Sequence, residues 1–271
     1  MTKPEFAQPD LRITNSDGRG SSYAHPHTGE RVPSVTTIST LIDKSSFLTP
    51  WGASTAAQWA ANHMDELQSI RDPDVIMAAI KEGSEKIRHA GRDLGSLVHD
   101  TLEEIVKGAK VEIDPKVKHH IDGWLEFMEH YVEEILFVEM TVWSHRYKYA
   151  GTFDVICRFK TGEVVLVDYK TGAKVYDDAA LQLNALARAD VLITTAGERP
   201  MPKIDQLGVL HLPAPIMTPG GKESIRGKWS YREVPMREVE WETFLHLRAV
   251  YDWDHIYSKD AIGGKQTRPS Q

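Results

Sequence analysis

Two aspartates and a lysine stand close together in this chain. Asp154 lies in the stretch 151–160 (GTFDVICRFK), and Asp168 and Lys170 close the stretch 163–170 (EVVLVDYK). The first stretch has the β-branched and aromatic content of a strand. The second is an apolar run ending in charges, and Thr161-Gly162 between them is a turn signal. A hairpin of these strands brings Asp154 near Asp168. Because side chains alternate with period two, Lys170 shares a face with Asp168. Two carboxylates and an ammonium at one sheet edge suit a hard divalent cation and a phosphodiester. The competing reading is plain: a strand ending Asp-x-Lys simply leaves the core, and its carboxylates are solvated.

The neighbouring stretches bear on that choice. Residues 136–149 (LFVEMTVWSHRYKY) read as a further strand, completing a three-strand meander. Glu139 within it is either a ligand or water-positioning group, or an edge-exposed glutamate. Upstream, a helical stretch running to about Gly108 puts Gly95, His99 and Glu103 on one face at i, i+4 and i+8. Glycine inside a helix costs roughly 1 kcal/mol against alanine, so Gly95 marks close approach of something. His99 is either a ligand or an ordinary helix histidine. Downstream, 177–190 (DDAALQLNALARAD) reads as an amphipathic helix, with Gln182 on its first turns and Asp177 or Asp178 as N-cap.

In order, Gly95-x-x-x-His99, Glu139, Gly151-x-x-Asp154, Asp168-x-Lys170 and Gln182 resemble the motifs of the PD-(D/E)xK nucleases. The likeness is to the branch of RecB-like, Cas4-like and phage recombination exonucleases. It covers roughly residues 85–240, and Val32-Pro-Ser-Val-Thr-Thr is similar to the lead-in of phage members. It implies a restriction-endonuclease-like α/β core and a deoxyribonuclease dependent on Mg²⁺ or Mn²⁺. It further implies that Asp154, Asp168 and the carbonyl of Tyr169 hold the metal, with His99 as an added ligand. Lys170 then positions or activates water, Glu139 assists, and Gln182 supports the site or contacts DNA. Implied partners are DNA and a recombination or single-strand-annealing protein, in the cytoplasm (the host's, for a phage protein). One departure is Leu186, where the family's glutamine motif usually carries an aromatic. The alternative from another class is a catalytically silent nuclease-fold protein that binds nucleic acid or a partner. Against it, Asp154, Asp168 and Lys170 are all present.

Composition narrows the field further. The 271 residues, 41% hydrophobic, bury one substantial core. The single cysteine, Cys157, excludes an iron–sulfur cluster and an intrachain disulfide, and points to a reducing compartment. At mid-strand it reads as a small core residue. Neither a membrane span nor a signal peptide is legible, so no membrane partner is expected. Walker-type glycine loops and CxxC pairs are absent. A net charge of −7 argues against a generic polyanion binder, so DNA contact requires local basic clusters. Candidates are His145-Arg146-Tyr147-Lys148, Arg158 with Lys160, Lys170 with Lys174, and 222–232 (KESIRGKWSYR). The last interleaves Lys222, Arg226, Lys228 and Arg232 with Trp229 and Tyr231, suited to phosphate contact and stacking, or else to a solvated hairpin.

The expected organisation is a loosely ordered segment over 1–30, a helical part over 31–84, the nuclease core over 85–260 and a disordered tail over 261–271. His25-Pro-His27 falls in the first segment and reads as solvated. Helices are expected over 33–70, with Trp51 and Trp59 spaced for core packing, and over 75–108, 115–134 and 177–195, with a last one beginning near Trp241. Strands over 136–149, 151–160, 163–170, 204–212 and 229–236 make a mixed five-stranded sheet flanked by helices. A Pro- and Gly-rich loop spans 213–228.

Overall fold

The structure, a computed structural model, describes residues 11–15, 20–215 and 227–263. Its centre is a mixed seven-stranded sheet of β4 (Val132–Ser144), β5 (Tyr149–Phe159), β6 (Val164–Lys170), β7 (Val191–Thr194), β8 (Gly197–Pro200), β9 (Gln206–His211) and β10 (Ser230–Val234). The strand order is β10-β9-β6-β5-β4-β7-β8. Among the described strands only β6 and β9 pair in parallel, because α6 (Asp178–Ala187) and the β7–β8 hairpin intervene between them. A small antiparallel sheet of β1 (Arg12–Thr14), β2 (Ser21–Ala24) and β3 (Arg31–Pro33) precedes it.

Helices cover both faces of the large sheet. On one face lie α1 (Val35–Ser39), α6 and α7 (Glu238–Asp252), where Ile38, Leu183 and Phe244 meet Met140, Phe153 and Leu166. On the other, the second half of α4 (Pro73–Val106) and α5 (Lys118–Tyr131) bring Val98, Leu102, Ile121 and Phe127 against Val155, Cys157, Val165 and Val167. Burial of this apolar surface on both faces, at roughly 25 cal/mol per Å², drives the assembly. The remaining helices, α2 (Ser45–Asn62) and α3 (Met64–Gln68), precede α4, which starts where Asp72 caps the amide of Asp74 and Pro73 takes the first turn.

Several expectations need correction. The sheet has seven strands, not five: the helix expected over 177–195 ends at Ala187, and the β-branched run Val191–Thr194 pairs with β4 instead. The strand expected over 136–149 stops at Ser144, and residues 145–148 turn the chain. The Asp190 carboxylate accepts from the amides of His145 and Arg146 there, and Lys148 takes a left-handed φ of 53°. Residues 12–14, 21–24 and 31–33 are strands rather than loose chain, anchored by Leu11, Tyr23 and Val32 packing on Trp143, Ala150 and Ile193. His25 is buried, not solvated. Trp51 is about half exposed, whereas Trp59 stacks on His63 against α4. Lys222, Arg226 and residues 264–271 lie outside the described residues.

Candidate metal centre

The row of acids forms where two strands change faces. Glu139 has φ 47°, a left-handed conformation that a side chain with a Cβ rarely adopts inside a strand. On either side of it, Val138 packs into one helix layer and Met140 into the other, although regular alternation gives both the same face. The partner strand does the same around Asp154: Phe153 joins the layer of Met140 and Val155 that of Val138. Since Val138 pairs with Val155 and Met140 with Phe153, Glu139 and Asp154 stand opposite each other at the switch. On β6, Val165, Val167 and Tyr169 point into the α4–α5 layer, leaving Asp168 and Lys170 on the face shared with Leu166.

These groups line one cavity of about 680 Å³, together with Gly95, His99 and Glu103 of α4 and Gln182 of α6. Gly95 has a clear reason: a Cβ there would stand 3.2 Å from the Thr171 hydroxyl, so the bare helix surface lets α4 pass over the end of β6. One turn later, His99 reaches the acids, its Nδ1 lying 3.4 Å from Asp154 Oδ1 and 3.5 Å from Glu139 Oε1. His99, Glu139 and Asp154 place one potential ligand atom each within 4.8 Å of one another. Lys170 Nζ lies 2.7 Å from Asp168 Oδ2, yet off the directions a hydrogen bond requires, so that buried oxygen has ionic contact but no hydrogen bond. The amide of Tyr169 donates to Asp154 Oδ2. The Tyr169 side chain is buried beside Trp124, so only its backbone is placed to serve the cavity.

The electrostatics are those of crowded, desolvated acids. Burial raises the Glu139 carboxyl to about 7, with repulsion from Asp154 adding to it and His99 opposing. Burial likewise raises Asp168. For Asp154 burial is the largest single influence and pushes upward, but the charge and hydrogen bond of His99, the Lys170 charge and the Tyr169 amide together turn the net direction down. His99 itself is held at about 11: burial disfavours its charge, and Asp154 followed by Glu139 overcomes that. Lys170 stays an ammonium because Asp168 and Asp154 outweigh its own desolvation. The donor set of buried carboxylates and one imidazole fits a divalent cation.

Gln182 borders the cavity, but its amide nitrogen donates to Ser39 Oγ at 3.1 Å and Asp178 Oδ2 at 3.2 Å, tying α6 to α1. The N-cap position of α6 falls to Asp177, whose side chain makes no cap hydrogen bond, while Asp178 begins the helix and pairs with Lys44 at 2.6 Å. Leu186 packs where Gly151 leaves room: a Cβ on that glycine would lie 2.7 Å from Leu186 Cδ2. Of the expected DNA-contacting aromatics, Trp229 and Tyr231 pack on Phe127 and Tyr131 behind the sheet, and neither lines the cavity. The 145–148 turn is likewise absent from its lining, and Lys148 pairs with Glu30.

The cavity also has walls that sequence reading missed. Arg12, Ser21 and Tyr23 of the small sheet and Arg92 of α4 line it, and Tyr23 Oη lies 2.9 Å from Thr152 Oγ1. For Arg92 the signal was available, since it precedes Gly95 by three residues and so shares its helix face. Nothing in the sequence placed Arg12 or Tyr23 there.

No family model matches this chain, and no curated protein does. Among solved structures, one titled "Crystal structure of SSO0001" is 15% identical over 73% of this chain and 68% of that one, with a TM-score of 0.27. A likeness that weak carries no argument. Among the described residues, no helix is long and apolar enough to cross a membrane.

Proposed function

We propose that this protein is a metal-dependent deoxyribonuclease on a restriction-endonuclease-like core, acting as an exonuclease in phage-type recombination, replication or repair. One observation carries the reading: Glu139, Asp154, Asp168, His99 and Lys170 line a single cavity in which Asp168 Oδ2 is buried without a hydrogen bond. Asp154, Asp168, the Tyr169 carbonyl and His99 are the groups to hold Mg²⁺ or Mn²⁺. Bound there, the cation supplies charge for the scissile phosphate and lowers the pKa of water.

The chain's own groups divide the remaining work. Glu139, raised to about 7, is suited to accept the proton of the attacking water near neutral pH. As water oxygen bonds to phosphorus and the bond to the leaving sugar oxygen breaks, negative charge grows on the phosphoryl oxygens. The Lys170 ammonium, fixed beside Asp168, offsets that charge. Its raised pKa makes it an electrostatic and orienting group rather than a base. Arg12 and Arg92 add positive charge to the cavity wall of an otherwise acidic protein, where a phosphate backbone needs it.

Digestion of linear, circular and single-stranded DNA with Mg²⁺ or Mn²⁺ tests the proposal, with Asp168→Ala as control. The expected result is metal-dependent hydrolysis by the wild type that is absent in the variant. Intact DNA in every wild-type reaction, or equal hydrolysis by Asp168→Ala, overturns it.

A further inference from the structure

A second imidazole–carboxylate cluster lies apart from the cavity, at the far end of β4. His25 sits in the turn between β2 and β3, His145 follows β4, and Glu198 belongs to the edge strand β8. These residues come from three separate parts of the chain. Glu198 nevertheless bridges the two rings: Oε1 is 2.7 Å from His25 Nε2, and Oε2 is 3.1 Å from His145 Nε2. One ligand atom from each falls within a 4.8 Å set.

We propose that His25, His145 and Glu198 form a zinc site that fastens the β2–β3 hairpin to the edge of the main sheet. The two rings are arranged to converge rather than to stack, with centroids 5.8 Å apart and planes at 51°. Ring nitrogens aimed at one carboxylate need only a small outward shift to share an ion with about 2.0–2.1 Å bonds. Two imidazoles and one carboxylate suit zinc better than magnesium, which prefers oxygen alone. Among the described residues three protein ligands converge here, which leaves the fourth position open to water. His25 is 3% exposed and edge-on to the Trp143 ring at 4.9 Å, so its direction is fixed before any ion arrives. His145 and Glu198 are partly exposed, which leaves an entry path.

One feature opposes the ion and sets its cost. His25 Nδ1 faces the amides of His27 and Thr28 at 3.3 and 3.4 Å, which favours the tautomer with the proton on Nε2, donating to Glu198. Zinc at Nε2 moves that proton to Nδ1, a tautomer change with no net proton release from His25, and gives up two long hydrogen bonds. Both amides lie in an exposed turn where water can replace the ring nitrogen. The proposal is independent of the nuclease reading, because none of the three residues lines that cavity.

Dialysis of the full-length protein against zinc chloride, with bound metal counted by plasma mass spectrometry and the melting temperature read with and without zinc, tests it. Because His25 is buried, the informative variants are His145→Ala and Glu198→Gln, with Asp168→Asn marking the other centre. The wild type and Asp168→Asn are expected to hold one zinc in common and to melt higher with it. His145→Ala and Glu198→Gln should lose roughly tenfold or more in zinc affinity, together with that stabilisation. A wild type that binds no zinc overturns the site. So does zinc held equally by all four proteins, or zinc lost only in Asp168→Asn. In either of those cases the ion lies elsewhere, and the former three residues form a hydrogen-bonded clasp alone.

Discussion

Carboxylates meet imidazoles at two points along β4, within it at Glu139 and just past its end at His145, and the same residue types behave differently at each. At Glu139 the carboxylate and the His99 imidazole are desolvated, a second and a third acid stand beside them, and the shifts are large: about 7 for Glu139 and about 11 for His99. At the end of β4 a single carboxylate, Glu198, meets two imidazoles near solvent and is lowered by them, against a burial that pushes it upward. The first cluster has more negative charge than its own cations relieve, and its strand holds a left-handed residue. The second is balanced by its neighbours. Burial together with an excess of acids leaves negative charge that only a further cation would offset; near solvent, the same groups offset one another.

The largest expected effect concerns Lys170. Lys170→Ala should slow DNA hydrolysis by about 10²-fold or more, measured at saturating DNA and metal, while Mg²⁺ affinity is retained. A near-normal rate would demote Lys170 to the end of a solvated strand and remove much of the contrast between the clusters.

Next comes pH. In the metal-free protein His99 is raised above its ordinary value, so the stability it contributes is full below about 6.5 and lost as pH climbs through about 11. A metal that takes His99 as ligand must expel that proton. Mn²⁺ affinity should therefore rise with pH between 6 and 8, by up to about tenfold per unit for each proton released. Calorimetry in two buffers of different ionisation enthalpy counts the protons. A flat profile with no release would take His99 out of the ligand set.

Two smaller effects separate packing from strain. Gly151→Ala places a methyl 2.7 Å from Leu186 and 3.1 Å from Val35, and should cost about 1–3 kcal/mol in denaturant unfolding. An unchanged midpoint would show that α1 and α6 shift freely over β5. Glu139→Asn keeps a polar side chain but tolerates φ 47° better, and removes one crowded acid. It should stabilise the metal-free protein by about 1 kcal/mol while hydrolysis is lost. Destabilisation would mean that the ion pair with His99 outweighs the strain.

Much of the cavity was readable before any fold was known. Asp154, Asp168 and Lys170 announce themselves through local strand pattern and a turn signal. Gly95 and His99 do so through helix spacing, because periods of two and 3.6 are properties of neighbouring residues. The same periods misread 177–195, where Val191–Thr194 is short enough to continue a helix pattern and becomes a strand only by pairing with β4. They also missed the strands at 12–14 and 21–24. Strands of three or four residues have little apolar surface of their own, and Leu11, Tyr23 and Val32 acquire a core only against Trp143 and Ile193.

Residue identity and local spacing thus determine which acids, imidazole and ammonium are available and which helix or strand carries each. Three features required the assembled chain. One is the reversal of faces at Glu139 and Asp154, which breaks the alternation from which a strand is read. Another is the wall supplied by Arg12 and Tyr23 from more than a hundred residues away. The third is the meeting of His25, His145 and Glu198. Each depends on contacts between segments distant in sequence; the desolvation that raises Glu139, and the close acids that raise His99 against its own burial, exist only once those segments assemble and exclude water.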